Sequence, residues 1–332
     1  MSTPAPSVCP DCQKHLGAWF NRGTACALCS RVCCATCLDF ALYTDPTTIS
    51  SMCKACFTFK WALDMTQHVE VFGPSIQESA GPAVVLVHGG GGCRSMFIPH
   101  AKSLAAVNVR CVLVDLPGHG SRMDELLTLD SAIAVILEGA ALAGTWRGDV
   151  APVYVGGSLG GYIGMELLGQ HPTMFSKAVI LMCGQNVGVN RGWAAGLGLI
   201  VLDWVSSTFS AATLLKLMHD QVQANGHLDR DMIENDIKKC GFFFHQSKAQ
   251  IAILKATNPA EALKKYRGPV LFINGSKDHR DSDAVWLAAA SAPASKLIVY
   301  DGADHFFSHD TRYLPQFLDE LHAFVLPTPP LD

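Results

Sequence analysis

Hydrophobic and polar positions change their rhythm twice along this chain. Short runs rich in Val, Ile and Leu, bounded by Gly, Pro or Asp, recur at 83–88, 110–115, 152–156, 178–183, 269–274 and 297–300. Continuous apolar runs of this length suit strands covered on both faces, so a mostly parallel sheet flanked by helices is expected. Between 184 and about 262 the runs stop and helical spacing takes over, as in 211–218 and 231–244, which predicts a helical cap inserted into the sheet domain. Before residue 57 the chain is polar and crowded with cysteine. The expected organisation is a small module at 8–57, a linker at 58–66 and an α/β domain at 67–327, followed by a Pro-rich frayed tail.

Composition narrows the class. With 332 residues, 49% of them hydrophobic and 16% charged, the chain can bury a sizeable core. A net charge of -4 gives no basic footprint, so no nucleic acid is expected. The polar start Met1-Ser2-Thr3-Pro4 lacks the apolar core of a secretion signal, and the reading is cytoplasmic. The longest apolar stretch outside the strands, 192–204, contains Asp203 and falls short of the roughly 20 residues a bilayer span needs.

Nine of the thirteen cysteines precede residue 57, and eight of these form Cys-x-x-Cys pairs: Cys9/Cys12, Cys26/Cys29, Cys34/Cys37 and Cys53/Cys56. Two such pairs complete a tetrahedral zinc site, so eight thiolates imply two structural zinc ions. Disulfides are the rival reading, disfavoured where thiols stay reduced. The other four cysteines, Cys93, Cys111, Cys183 and Cys240, are scattered among apolar neighbours. The gaps between successive pairs are 13, 4 and 15 residues, and the module resembles a cross-braced FYVE-type zinc finger; a RING finger fits the spacing less well. The resemblance implies that Cys9, Cys12, Cys34 and Cys37 hold the first zinc, and Cys26, Cys29, Cys53 and Cys56 the second. It also implies binding of phosphatidylinositol 3-phosphate on endosomal membranes through a basic run at the third cysteine. Here that run reads Arg22-Gly23-Thr24-Ala25-Cys26-Ala27 and offers one charge, too few donors for the headgroup. An endosomal membrane or a protein partner stays open for the finger. Leu16, Trp19 and Phe20 stand where such fingers insert into membranes, and packing of the module's own small core explains them as well.

In the second region, Gly156-Gly157-Ser158-Leu159-Gly160 follows an apolar run and precedes a helical stretch, the strand-turn-helix context of a nucleophile elbow. A serine there needs a base to take its proton and a carboxylate to hold that base in the right tautomer. Asp278 follows the run 269–274, and His305 follows 297–300. Asp281 and Asp283 compete with the first, and His279, His309 and His322 with the second, but only Asp278 and His305 stand in turns directly after strands. An oxyanion hole requires two backbone donors. Leu159 supplies one, and the loop His88-Gly89-Gly90-Gly91-Gly92 the other, with Gly90 preferred over Gly89 or Gly91.

With Asp115-Leu116-Pro117-Gly118-His119-Gly120-Ser121 added, residues from about 67 to 327 resemble the α/β-hydrolase fold family. The resemblance implies an eight-stranded sheet, a cap after the sixth strand and hydrolysis through an acyl-serine intermediate, with Asp115 and His119 structural. The expected activity is cleavage of a carboxylic ester, from a small molecule or a lipid, with thioester, peptide and C–C cleavage open. Trp193, Leu197, Leu199, Ile200, Leu202, Trp204, Phe209 and Leu214 of the cap suit an acyl pocket or ordinary packing alike. The competing expectation is a non-catalytic interaction or membrane-recruitment protein on a hydrolase fold.

Overall fold

The computed structural model describes residues 8–17, 23–34, 37–38, 40–45, 48–56, 67–186, 227–228 and 246–327. The linker, most of the cap with its eight apolar residues and the helices expected at 211–218 and 231–244, and Trp19, Phe20 and Arg22 lie outside them.

The N-terminal module holds two antiparallel pairs. Strands β1 (Thr24–Ala25) and β2 (Val32–Cys33) pair through Thr24 and Cys33, and β3 (Phe40–Asp45) and β4 (Thr48–Met52) through Phe40 and Met52. The first two Cys-x-x-Cys turns repeat one geometry. Gln13 N donates to Cys9 O and Ser30 N to Cys26 O, both at 2.9 Å, and Gln13 and Ser30 share a positive φ of 60° and 59°.

The main sheet follows: β5 (Val69–Phe72), β6 (Val84–Val87), β7 (Cys111–Val114), β8 (Val153–Gly157), β9 (Lys177–Leu181), β10 (Val270–Gly275) and β11 (Lys296–Tyr300). Their spatial order is β11-β10-β9-β8-β6-β7-β5. All six strands expected from the apolar runs are present and parallel. Antiparallel β5 on β7, with Val69 opposite Val114, was not foreseen, because four residues with one Glu make too short an alternation to stand out. Among the described residues the sheet has seven strands, not the eight that the family resemblance implied.

Successive residues of each central strand enter different cores, as the period of two demands. Val85, Val87, Val112, Val114, Ile180 and Phe272 face one side, where helices α2 (Leu129–Ala143) and α3 (Leu159–Gln170) pack. Val84, Leu86, Leu113, Val155, Leu181 and Ile273 face the other, against α1 (Ile98–Ala106) and α7 (Leu314–Val325). Three further helices, α4 (Ser247–Ala256), α5 (Pro259–Leu263) and α6 (Asp283–Ala289), complete the first side. Because the six central strands are parallel, their C-terminal ends share one edge. The chain reverses its direction of strand addition between β6 and β8, and such a switch point leaves a crevice at that edge.

Candidate active site

Ser158 stands at the end of β8, in that crevice. Its backbone has φ 50° and ψ -118°, a conformation costing a non-glycine residue about 1–3 kcal/mol, and it persists because both flanks are fixed. Ser158 N donates to Leu181 O at 2.9 Å, and Tyr162 N closes the first turn of α3 on Ser158 O at 3.0 Å. The two motif glycines are needed for close approach. A Cβ on Gly156 would lie 2.8 Å from Gly160 O, and one on Gly160 would lie 2.5 Å from Val87 O and 2.6 Å from His88 O. Leu159 opens α3, so its amide has no acceptor within the helix.

Asp278 follows β10 and His305 follows β11, and the two meet: His305 Nδ1 donates to Asp278 Oδ2 at 2.6 Å. That bond fixes the proton on Nδ1 and leaves Nε2 with its lone pair. Burial pushes the Asp278 carboxyl up, but the hydrogen bond from His305 and the His279 amide, 2.8 Å from Oδ1, outweigh it and hold it below the ordinary carboxylate value. Three of the five sequence rivals are engaged elsewhere. Asp283 accepts from Asn274 Nδ2 at 2.5 Å and from Arg280 Nε at 2.8 Å, and Asp281 is exposed. Ser103 Oγ pairs with His322 Nε2 at 3.1 Å, and buried His309 with Ser308 Oγ at 2.9 Å.

The glycine loop after β6 lies against the elbow: a Cβ on Gly89 would stand 3.3 Å from Ser158 Cβ and 3.9 Å from its Oγ. Gly91 N already donates to His119 Nε2 at 3.3 Å, which takes Gly91 out of the choice of donors. His88 bridges two loops, with Nδ1 2.8 Å from Gly89 O and Nε2 accepting from Leu116 N at 3.0 Å. Burial lowers its pKa and keeps it neutral. Asp115 is a clamp beneath the same loops. It accepts from Arg94 N at 2.8 Å and from Ser121 N and Oγ at 2.9 Å, and it forms an ion pair with Arg94.

Sequence reasoning missed Gln250, on α4. His119 Nδ1 lies 2.9 Å from Pro117 O, so it carries the proton, and Nε2 accepts. Gln250 Nε2, 3.2 Å from His119 Nε2, therefore donates and shares that one lone pair with Gly91 N. This turns the amide carbonyl over the glycine loop, where a Cβ on Gly90 would be 2.4 Å from Gln250 Oε1. The lone glutamine in a helical run carries no motif, and only the tertiary contact reveals it.

In the N-terminal module the sulfurs gather as two sets, Cys9, Cys12, Cys34 and Cys37, and Cys26, Cys29, Cys53 and Cys56, each with all ligand atoms within 4.8 Å. Tetrahedral thiolates at about 2.3 Å from one ion stand about 3.8 Å apart, and Cys12–Cys34 and Cys29–Cys53 are separated by 3.5 and 3.8 Å. Neighbouring backbone amides outweigh burial at Cys9 and Cys26 and lower both thiols to about 6, whereas burial raises Cys34, Cys37, Cys53 and Cys56, so what points to a metal is the spacing of the sulfurs. The donor set thus fits a metal held by four thiolates in each cluster.

Residues 84–318 match the family model described as the Alpha/beta hydrolase family. None of the curated proteins compared matches the chain. Among solved structures, MenH from S. aureus superposes with a TM-score of 0.62 at 16% identity, covering 77% of this chain and 97% of its own. The esterase EaEST from Exiguobacterium antarcticum gives 0.61 at 18%, covering 77% and 94%. The Paleococcus ferrophilus monoacylglycerol lipase gives 0.55 at 15%, covering 78% and 97%. At these identities the likeness is one of fold. Among the described residues, no helix is long and apolar enough to cross a membrane.

Proposed function

Because the chain belongs to the alpha/beta hydrolase family, we propose that it hydrolyses a carboxylic ester through an acyl-serine intermediate on Ser158. The observation that carries this reading is the 2.6 Å His305–Asp278 bond on the same sheet edge as a serine held at φ 50°. His305 Nε2 takes the Ser158 proton as Oγ attacks the ester carbonyl, and Asp278 stabilises the imidazolium that forms. The amides of Leu159 and Gly90 receive the developing oxyanion, Gly91 being committed to His119. His305 then returns the proton to the departing alkoxide, and water repeats the sequence to free the acid. The esterase and the lipase among the similar folds are in keeping with ester chemistry.

Gln250 adds a substrate preference. Its carbonyl stands over Gly90, so a substrate hydroxyl or N–H beside the scissile carbonyl would reach it. The eight clustered cysteines would hold two zinc ions as structural centres of a FYVE-like finger, with no part in the chemistry at Ser158. Headgroup recognition in the manner of that family has little support: Arg31 is paired with Asp11 at 3.1 Å, and Leu16 packs into the module's own core.

The test is labelling by a fluorophosphonate probe together with ester turnover, in the native chain and in Ser158→Ala. Labelling should vanish in the variant and turnover fall on the order of 10⁶-fold. A folded native chain that is not labelled at Ser158 would return the alternative of a non-catalytic interaction protein.

A further inference from the structure

The finger and the hydrolase share a core. Cys93 and Met123, 6% and 7% exposed, are packed into one cluster with Cys9, Cys26, Cys33, Cys34, Leu38, Met52 and Cys53 of the finger. Met52 and Cys53 are fully buried. A module this small buries few side chains so completely by itself, which points to cover from the larger domain. At the rim, Lys54 forms an ion pair with Asp124.

The positions of the two hydrolase contacts are informative. Cys93 directly follows the glycine loop of the candidate oxyanion hole, and Met123 directly follows the short helical turn Gly120–Arg122. The same two loops are joined behind the contact by Asp115, which accepts from Arg94 and Ser121, and above it by the bond from Gly91 N to His119. A side chain pressed on Cys93 and Met123 therefore bears on the two linked loops, the first of which places Gly89 against Ser158.

From this arrangement we infer that the finger's partner is the hydrolase of its own chain: it docks on the Cys93–Met123 surface and holds the glycine loop in place, so that metal binding in the finger is felt at the elbow. The inference goes beyond the esterase reading and does not depend on turnover. The physical route is short. Without its ions a cross-braced module loses its fold, and the two loops then lose the apolar cover of Cys93 and Met123 while their inner clamp stays intact. The expected consequence is local loosening of segments 88–97 and 117–125, with the sheet and α2 unchanged.

The experiment uses the full chain loaded with zinc. Alkylation of Cys93 by N-ethylmaleimide is followed by peptide mass spectrometry, and amide exchange is followed over 88–97, 117–125 and α2. Two perturbations are compared with the native chain: Met123→Asp, which places a charge in the contact, and removal of zinc by a chelator. Each should speed Cys93 alkylation by about tenfold or more, and raise exchange in both loop segments but not in α2, as expected for local rather than global opening. Should Met123→Asp fail to fold, the chelated native chain decides alone. Less than about a twofold change in Cys93 reactivity on chelation, or an equal rise in α2, overturns the inference. So does protection of Cys93 that weakens on dilution, since the covering finger would then belong to a second copy. A chain that proves inactive toward esters leaves all of these readouts in place, so the two conclusions fail separately.

Discussion

Gln250 and His100 show how single side chains tie this structure to measurable behaviour. The Gln250 carbonyl is aimed over Gly90 because the His119 tautomer accepts only a donor, and a hydrogen bond to substrate from such a group is worth roughly 1 kcal/mol. Gln250→Leu should thus lose about fivefold to tenfold in kcat/KM for esters with a hydroxyl beside the carbonyl, relative to the deoxy ester, whose kcat/KM should change little; equal loss on both would deny Gln250 a recognition role. His100 belongs to stability instead. It is fully buried, Nε2 donates to Ser308 O at 3.0 Å, and the rings of Phe97, His309 and Phe317 surround it. Burial, helped by the neighbouring charge of His309, lowers its pKa from 6.5 to about 3. The unfolded chain therefore binds a proton at this ring between pH 6.5 and about 3 while the native chain does not. Stability is full above that window and falls as pH drops through it, by about 1.4 kcal/mol per pH unit from this group. Urea unfolding should show lower stability at pH 5 than at pH 7, and His100→Gln, which keeps the bond to Ser308, should shrink that difference while the share of buried His88 remains.

At the level of elements, the elbow is where sequence and structure agree for a reason that can be tested. Gly160 lets α3 start against the end of β6, and a methyl group there would lie 2.5 Å from Val87 O and 2.6 Å from His88 O, backbone atoms that cannot swing aside. Gly160→Ala should cost about 1–3 kcal/mol by urea unfolding; an unchanged midpoint and slope would mean that the helix start can shift without loss. The same contact explains why the motif was legible: the glycines, the strand before them and the helix after them are all local. The six central strands were equally legible, since burial on both faces writes itself as unbroken Val, Ile and Leu. The edge strand β5 is half-covered and four residues long, so it left little trace. Asp278 and His305 could be placed because each sits in a turn directly after such a strand. Gln250 could not, because its contact with His119 depends on a helix from the cap region crossing a loop 131 positions earlier. Cys93 looked like one more apolar core residue of the larger domain, and its burial in the finger's cluster is a long-range fact that no spacing encodes.

For the molecule as a whole, the order of cysteines along the chain bears on how the proposed finger should respond to damage. The first cluster draws on segments around Cys9 and Cys34, and the second on segments around Cys26 and Cys53, so each set has ligands lying between those of the other. The β1–β2 ladder then joins the two, since Ala25 precedes Cys26 and Cys33 precedes Cys34. Losing one thiolate should release more than its own ion, because the second site is built from backbone that the first holds in place. Cys9→Ser, at the first cluster, should therefore lower zinc content from the two ions expected for the native chain to below about one, as binding and folding of such a module are a single equilibrium. Elemental analysis of the purified full chain, normalised to sulfur, reads this directly. Retention of one tightly held ion would show two independent sites, and the cross-brace would then be a matter of spacing without mechanical consequence. Release of both would mean that one oxidised or mutated cysteine dissolves the whole module, and with it the cover over Cys93 and Met123.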